Sequence, residues 1–226
     1  MRFDELIHHS PRIYAAKVTI IFRSKQLLYK ILGIQKQQNY IADAYFKKRE
    51  TIFQQFFKNK KVLDVGCGRG DFLTSLREKY GCYCIGLDIS KNMIFYASQN
   101  NSTSIYVVGS SDFLPFKDDA VDVVHFNHVF HHLPPNIQEK TLKESKRVAK
   151  EVVMIDDNVN WENRFKRFLA NIFWKITDGG YIYRTETEWR KFLQNENILD
   201  CSVGKYLMRH CYFVIDADGS DGNTKG

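Results

Sequence analysis

The sequence feature that most constrains the fold is a glycine-rich turn directly after a short apolar segment. Residues 62–72 read VLDVGCGRGDF, so the apolar segment Val62–Val65 is followed by Gly66, Gly68 and Gly70. Glycine permits tight turns and lets the backbone approach a ligand closely, because it has no Cβ. A strand, such a turn and a helix in succession are typical of the first βα unit of a nucleotide-binding sheet. We therefore predict that this turn holds part of a nucleotide-like cofactor.

An acidic residue follows at the distance that this arrangement requires. The next apolar segment, Tyr83–Leu87, ends at Asp88, which is 20 residues beyond Gly68. A carboxylate at the end of the second strand can accept hydrogen bonds from both ribose hydroxyls of an adenosine. An aspartate that only terminates a strand is the alternative, but the glycine turn favours ribose binding. A dinucleotide turn would need a small residue where Asp71 stands, so the spacing disfavours dinucleotide cofactors.

Apolar segments alternate with amphipathic ones from Val62 onward, which predicts βαβ units. We predict an α/β, Rossmann-like, mostly parallel seven-stranded sheet flanked by helices, with a helical N-terminal extension and a helical insertion after strand 5. The predicted strands are Val62–Val65, Tyr83–Leu87, Ser104–Val108, Val121–Phe126, Val152–Asp156, and an antiparallel pair, Asp200–Tyr206 and Cys211–Asp216. The predicted helices are Asp71–Lys79, Lys91–Gln99, Pro135–Ala149, Trp161–Ile176 and Thr185–Gln194.

From residue 60 to about residue 157 the sequence resembles the class I S-adenosylmethionine-dependent methyltransferases, in particular the type 11 small-molecule group. VLDVGCGRGDF is similar to that family's first motif, IGLDIS (85–90) to its second, and residues 109–133 to the block that turns over the adenine. ESKRV (144–148) resembles the helix that follows. The resemblance implies S-adenosyl-L-methionine as the cofactor, held at its methionine portion by Asp64 and the glycines, at its ribose by Asp88 and at its adenine by Ile89. The predicted cofactor-binding residues are Asp64, Gly66, Cys67, Gly68, Gly70, Asp88, Ile89, Met93, Ser110, Ser111, Asp112, Phe113 and Asn127.

Two positions depart from the family's pattern. The family's adenine-contacting aspartate falls on Ser110, counted back from Leu114-Pro115-Phe116. Either Asp112 or the backbone at Ser110 and Ser111 is expected to replace it. The family's Pro-Gly-Gly turn before strand 5 is also missing, so we predict a shorter loop there.

Three histidines follow the fourth predicted strand, at the sheet edge where ligands of such folds bind. In methyl transfer the protein mainly aligns the acceptor, the methyl carbon and the sulfur, and a general base helps when the acceptor is a hydroxyl or an acidic carbon. His128 is the predicted catalytic residue, facing the acceptor. His131 and His132 are interpreted as framework residues, because the resembling family commonly has HHL at this point.

The fifth predicted strand ends in Asp156-Asp157-Asn158, which is similar to the Asp-Asn of metal-dependent catechol-type methyltransferases. The other carboxylate of those enzymes falls on Asn127 in this sequence. An oxygen-rich magnesium site would therefore lack one charge. Roles in the turn or in lining the substrate site are favoured, and we predict no metal ion.

Two segments outside the βα pattern are rich in basic residues. Residues 161–184 contain five basic and seven aromatic residues, at a place where such enzymes often build a substrate lid. The aromatic residues could line an apolar pocket while the cations meet an anionic group or a lipid surface; a plain helical hairpin is the alternative. Residues 13–34 predict a basic helix that either packs on the domain as a lid, which is favoured, or lies on a membrane surface.

The predicted domains are a separate, basic, helical extension (1–58), the cofactor-binding domain (59–216) and a disordered polar tail (217–226). The net charge is +7, and residues 1–60 hold twelve basic against four acidic residues. This excess favours an acidic partner such as phospholipid, nucleic acid or an anionic substrate, with a solvated charged face as the alternative. The five cysteines form no CxxC pair, and no secretory signal or long apolar run is present, so we expect a cytoplasmic protein, with peripheral membrane contact an open alternative.

The favoured function is a methyltransferase acting on an O, N or C atom of a small-molecule or lipid-like acceptor. An RNA methyltransferase is the alternative, because the sequence pI is near 9.1. Nucleic acid is less favoured because Asn127-His128-Val129-Phe130 lacks the Asp/Asn-Pro-Pro-aromatic signature of amino-directed nucleic-acid methylases. A non-catalytic cofactor-binding regulatory subunit is the third interpretation, and the intact glycine turn argues against it. The sequence does not predict the oligomeric state.

Overall fold

A computed structural model describes residues 35–204 and 209–218 of the chain. Its centre is one seven-stranded sheet with the strand order β3-β2-β1-β4-β5-β7-β6. Strands β1 to β5 pair in parallel, whereas β7 is antiparallel to both β5 and β6. The strands are β1 Lys61–Val65, β2 Tyr83–Asp88, β3 Ile105–Val108, β4 Val121–Asn127, β5 Ala149–Asn158, β6 Ile198–Val203 and β7 His210–Asp216. The predicted fold class is confirmed.

Six helices flank the sheet in the part of the chain that the structure describes. They are α1 Gln35–Phe57, α2 Asp71–Tyr80, α3 Lys91–Asn100, α4 Pro135–Val148, α5 Arg164–Thr177 and α6 Glu186–Phe192. A short 3₁₀ turn, Phe130–His132, lies between β4 and α4 and was not predicted from the sequence. Within the described residues, no helix is both long enough and apolar enough to span a bilayer.

The sheet carries a separate apolar core on each face, because side chains alternate along a strand. On one face, Leu63 of β1 and Phe213 of β7 pack with Trp189 of α6. On the other face, Val62 and Val214 pack with the helices α1 and α2. Each strand of the centre thus supplies residues to both cores, as expected for a sheet covered on both sides.

The C-terminal part of α1 belongs to the second core. Phe53 and Phe57 are buried with their rings edge-on to His125 of β4, and each buried phenylalanine contributes about 1.5–3 kcal/mol. Residues 45–57 therefore pack on the sheet and share its second core. The predicted basic helix at 13–34 and the tail beyond residue 218 lie outside the described residues, and the domain boundaries remain predictions.

Several predicted elements differ from the structure at their ends. Helix α5 begins at Arg164 rather than Trp161, because Asn163 caps it by accepting the backbone N–H groups of residues 165 and 166. Strand β5 begins at Ala149, directly after α4 ends, so the predicted short loop is reduced to a direct junction. Strand β6 ends at Val203, earlier than the predicted Tyr206, which is not described.

Candidate active site

A cavity of about 440 Å³ opens at the carboxyl ends of β1, β2 and β4. The strand order reverses between β1 and β4, and ligands of open α/β sheets bind outside the carboxyl ends at this switch point. The volume lies in the range of small-molecule sites. The wall includes the following predicted site residues: Gly66, Gly68, Asp88, Ile89, Met93, Ser110, Ser111, Asn127 and His128. The structure therefore brings nine of the predicted positions together.

The glycine turn after β1 depends on left-handed backbone conformations. Gly66, Gly68 and Gly70 have φ angles of 76°, 52° and 78°, which only glycine adopts at little cost. A Cβ at Gly66 would lie 2.6 Å from a methyl carbon of Val129. A Cβ at Gly68 would meet no atom within 4 Å, so the backbone there borders open space. The turn thus presents bare backbone to the cavity.

Asp88 is hydrogen-bonded to this turn. Its carboxylate accepts the backbone N–H of Gly68 at 2.9 Å and that of Ser90 at 2.8 Å. Ser90 in turn caps α3 by accepting the N–H of Met93. These bonds fix the carboxylate in the cavity wall between the glycine turn and the start of α3. This is the position at which the sequence predicts a ribose-binding carboxylate.

Five predicted cofactor-binding residues do not line the cavity: Asp64, Cys67, Gly70, Asp112 and Phe113. Cys67 points into the second core, and burial raises the pKa of its thiol. Gly70 lies one step behind the turn, where it precedes α2 and packs against Tyr106. Phe113 forms a short β-bridge with Ser110, but its own side chain is three-quarters exposed and does not line the cavity.

Asp64, a predicted cofactor contact, is buried and does not lie in the cavity wall. It lies on the same side of β1 as Val62, and its Oδ1 is 3.0 Å from Nδ1 of His125 on β4. The His125 ring stacks on Phe72 at 4.8 Å between centroids. Burial raises the pKa of the Asp64 carboxyl, which His125 partly offsets. Asp64 therefore supports the turn from within the core, because strand alternation directs its side chain away from the cavity that Val65 lines.

Asp112 also has a different role from the one considered for it. The Ser110 hydroxyl donates to Asp112 and lowers the pKa of its carboxyl, and Lys140 lies 3.5 Å away. The carboxylate is thus turned toward α4. Ser110 and Ser111 line the cavity instead. The adenine contact of either Asp112 or the Ser110–Ser111 backbone stays a prediction.

His128 lines the cavity at the carboxyl end of β4, the strand next to β1. Its φ is 56°, an uncommon value for a residue other than glycine, and such strain is concentrated at functional sites. Its backbone N–H donates to the carbonyl of Asp156 at 2.7 Å, and its ring meets that of His210 edge-on at 4.9 Å. Burial lowers the pKa of His128, although the carboxylates of Asp156 and Asp157 act in the other direction. The imidazole is therefore neutral at neutral pH.

His131, only three residues later, has the opposite electrostatic state. Its backbone N–H donates to Asp157 at 3.0 Å, its Nδ1 contacts the same carboxylate, and its Nε2 is 2.7 Å from Asp178. Burial alone lowers the pKa of His131, but the two carboxylates outweigh burial and raise that pKa to about 10. His131 is thus a buried imidazolium that joins the 3₁₀ turn to β5 and to the insertion, in agreement with its predicted framework role.

His131, His132 and Asp178 place three potential metal ligands close together, their ligand atoms lying within 4.8 Å of one another. The Nε2–Asp178 and Nδ1–Asp157 contacts of His131 already occupy both nitrogens of that ring. Tyr183 also donates to Asp178, at 3.0 Å. This cluster therefore holds the 3₁₀ turn to the insertion through charged contacts rather than forming a metal site. We call His131 with Asp157 and Asp178 the charged anchor.

The sequence-based reasoning missed the part of the wall that the insertion supplies. Gly179 and Tyr181 line the cavity, and the backbone N–H of Tyr181 donates to the carbonyl of His131 at 2.7 Å. The Asp-Gly-Gly-Tyr turn at 178–181 follows an aromatic, basic helix, and this was the available signal. Only the aromatic residues of the insertion as a group were predicted to line a pocket.

A buried ion pair connects α1 to the same sheet edge. The guanidinium of Arg49 donates through Nε to Asp156 at 2.5 Å, and the carboxylate is almost fully buried. The Asp156 carbonyl accepts from His128, so α1 is joined to the strand end that positions the candidate base. Nothing in the local sequence identified Arg49 as a partner of Asp156, because 107 residues separate them.

Comparisons with known proteins agree with this geometry. Residues 63–155 match the model of a family described as a methyltransferase domain. The chain is 31% identical over 131 residues to an uncharacterized protein of Methanocaldococcus jannaschii, covering 53% of this chain and 49% of that one. It is 25% identical over 144 residues to phosphoethanolamine N-methyltransferase of Plasmodium falciparum, covering 58% and 54%. The chain spans about half the length of these two curated relatives.

A solved structure resembles the fold. It is a chain from the complex between the Trm112 methyltransferase activator and a putative methyltransferase of Haloferax volcanii. The TM-score is 0.60 at 20% identity, and the match covers 71% of this chain and 82% of that one. A similarity at this level of identity supports the architecture alone.

The matched domain contains the glycine turn, Asp88 and the strand-4 edge in one piece. This segment is similar to the class I S-adenosylmethionine-dependent methyltransferases, the class that the motifs of the sequence also resemble. Within that class, the matched model is of the type 11 group, which the sequence motifs had indicated.

The residues present fit the cofactor of this class, S-adenosyl-L-methionine. The open space beside Gly68 lets a ligand reach the backbone, and Asp88 offers a fixed carboxylate next to it. Ile89, whose side chain is largely exposed, and buried Met93 supply an apolar surface in the same wall. The cofactor prediction therefore agrees with both the family and the cavity.

Proposed function

We propose that this chain transfers a methyl group from S-adenosyl-L-methionine to a small-molecule or lipid-like acceptor bound in the same cavity. One observation carries the proposal: the glycine turn with Asp88 and the neutral His128 line a single cavity. A cofactor at the turn and an acceptor beside His128 would then be neighbours. Holding both in one enclosed site supplies the alignment that methyl transfer requires.

The glycine side of the cavity would hold the cofactor. Asp88 would accept hydrogen bonds from the ribose hydroxyls, and the backbone at Gly66 and Gly68 would approach the methionine portion. Ser110 and Ser111 would border the adenine. When bound, S-adenosyl-L-methionine supplies a methyl group activated by its positively charged sulfur.

His128 would act as the general base on the acceptor side. Burial keeps its imidazole neutral, so a ring nitrogen can accept the proton that an acceptor hydroxyl or acidic carbon loses. Its left-handed backbone and the bond from its N–H to the Asp156 carbonyl hold the residue at the end of β4. Gly179 and Tyr181 of the insertion would limit the access of water to this side.

A small-molecule acceptor is supported by the size of the cavity and by one named relative. The Plasmodium falciparum relative is a phosphoethanolamine N-methyltransferase, which is a small-molecule enzyme by its name. An acceptor of that size is compatible with a cavity of about 440 Å³ that also holds the cofactor's reactive end. The labelled-cofactor experiment below identifies the acceptor and the methylated atom.

The cofactor role is tested by thermal unfolding of the full chain with S-adenosyl-L-methionine, S-adenosylhomocysteine and NAD. We expect the two adenosyl compounds to raise the melting temperature and NAD to leave it unchanged, because only a ligand of the native state stabilises it. Asp88→Ala should weaken binding about tenfold or more, since a hydrogen bond to a charged group contributes about 1.5–3 kcal/mol. Each shift is measured against the same variant without ligand.

Asp122→Ala is the matched control for Asp88→Ala. Asp122 also accepts a backbone N–H, from Lys61 at 2.8 Å, but it lies at the opposite end of the parallel strands. Its removal should leave the ligand-induced shift intact. Equal shifts for the wild type and Asp88→Ala would refute the ribose role, and a missing shift in the wild type would refute the proposed function. Incubation of extracts with isotope-labelled cofactor, followed by mass spectrometry, would then identify the methylated acceptor.

A further inference from the structure

Helix α5, in the insertion, carries an apolar stripe that faces away from the protein. Phe165, Phe168, Leu169 and Ile172 are 70%, 61%, 50% and 44% exposed. Their spacing of i, i+3, i+4 and i+7 places them on one side of an α-helix. A surface helix of a globular protein normally buries such a stripe and exposes its polar side. We therefore expect the stripe on α5 to be covered by a binding partner.

The opposite side of the same helix makes the contacts with the domain. Trp174 is buried, its ring 4.7 Å from that of Tyr183, and Arg167 pairs with Glu188 of α6. Asn163 caps the first turn. The helix is thus fixed in its orientation by its inner side, so the exposure of the stripe is a property of the packed structure.

Basic residues border the stripe, and the helix contains no acidic residue. By the helical repeat, Arg164 and Lys175 lie along one edge of the stripe and Lys166 lies along the other. Among the described residues, Arg167 is the only cation of α5 in an ion pair. An apolar stripe with cations on both edges is the arrangement of helices that lie in the interface of an anionic bilayer.

The stripe continues into a groove that reaches the active site. A groove of about 380 Å³ is lined by Phe168, Ile172 and Lys175 of α5 and by Tyr181. Tyr181 also lines the cofactor cavity. The surface beside the apolar stripe is therefore joined to the cavity through one shared side chain.

We propose that the exposed side of α5 docks on an anionic lipid bilayer and that the methyl acceptor is an amphiphile taken from that bilayer. The acceptor part rests on the proposed function. Charge complementarity selects the occupant: the cations at the edges match anionic headgroups, and the aromatic and aliphatic side chains match the acyl boundary. The groove beside Tyr181 would then open at the lipid, and the acceptor's polar end would reach the cavity next to His128.

The test is co-sedimentation of the full chain with vesicles of phosphatidylcholine alone or with one-third phosphatidylserine. We expect binding to the anionic vesicles, falling as salt is raised, and little binding to the neutral ones. The double variant Phe165→Ser/Phe168→Ser should abolish binding, and Lys166→Gln/Lys175→Gln should weaken it about 30-fold, since each cation near such a surface contributes about 1 kcal/mol. A melting-temperature shift with S-adenosyl-L-methionine, measured on each variant, shows that it folds and binds cofactor.

Phe95→Ser/Ile105→Ser is the matched control, because these apolar side chains are 68% and 64% exposed on a different part of the surface. It should bind vesicles like the wild type. Equal binding by the α5 double variant would overturn the proposal, since the contact would then lie elsewhere in the chain. So would a wild type that binds neither vesicle, or one that forms a dimer lost in Phe165→Ser/Phe168→Ser, because the stripe would then bind a second copy. Loss of vesicle binding with an intact cofactor shift separates this proposal from the proposed function.

Discussion

The two sides of the cavity are built in different ways. The glycine side, at the ends of β1 and β2, consists of backbone in left-handed conformations and one carboxylate held by two backbone N–H groups. The histidine side, at the ends of β4 and β5, consists of side chains whose charges are set by residues distant in sequence. His128 has a lowered pKa and His131 a raised one, although only three residues separate them.

This difference shows which interactions each side depends on. The glycine side depends on the backbone conformation of the turn and on Asp88, which lies only 20 residues from Gly68 in the sequence. On the histidine side, solvent exclusion disfavours the charged form of His128, whereas two carboxylates outweigh the same effect at His131. The glycine side is suited to binding the cofactor, which is the same for every acceptor. The histidine side can provide a neutral base, His128, next to the charged His131.

The largest effect is expected at the charged anchor of the histidine side. His131→Leu would leave Asp157 and Asp178 without their shared cation and should lower the free energy of unfolding by about 3–5 kcal/mol at pH 7. Urea unfolding measures this loss. Because the folded pKa of His131 is raised, its contribution is present in full below pH 6.5 and is lost as the pH rises through about 10.

His132→Leu is the control for that experiment, since the His132 side chain is about a quarter exposed and lies 3.5 Å from Asp178. It should cost less than about 1 kcal/mol. Similar losses for the two variants would mean that His131 is not the central cation of the anchor.

A smaller effect, confined to catalysis, is expected at His128. His128→Ala should lower kcat about 100-fold, at the lower end of the contribution of a general base, with an unchanged cofactor-induced melting shift. Because the pKa of His128 is lowered, the wild type should stay active below pH 6.5 and lose activity only as the pH falls further. Full turnover by the variant would remove His128 as the base and leave the glycine side unaffected.

The smallest effect should distinguish two glycines of the same turn. Gly68→Ala places a Cβ in open space and should cost only the left-handed backbone strain, about 1 kcal/mol in unfolding without ligand. Gly66→Ala adds a close contact with Val129 and should cost about 2 kcal/mol. The reverse order would contradict the described geometry of the turn.

Local sequence patterns predicted most of the fold, and the errors lay at the ends of helices and strands. Apolar segments alternating with amphipathic ones identified all seven strands, because a buried parallel strand needs a continuous apolar run. The ends were less accurate: Asn163 rather than Trp161 marks the start of α5, since capping depends on the backbone conformation that the preceding loop adopts. The two late strands were predicted as an antiparallel pair, and β6 and β7 confirm this.

The sequence by itself determined the glycine turn, the Asp88 position and the resemblance to a methyltransferase family, because these depend on residues within one βα unit and on a fixed spacing. Only the tertiary structure decided that Asp64 pairs with His125 inside the core, that Arg49 binds Asp156, and that Asp178 charges His131. The physical reason is that the direction of a side chain and the charge of a buried group depend on partners that the packing of the whole domain brings together, tens of residues away along the chain.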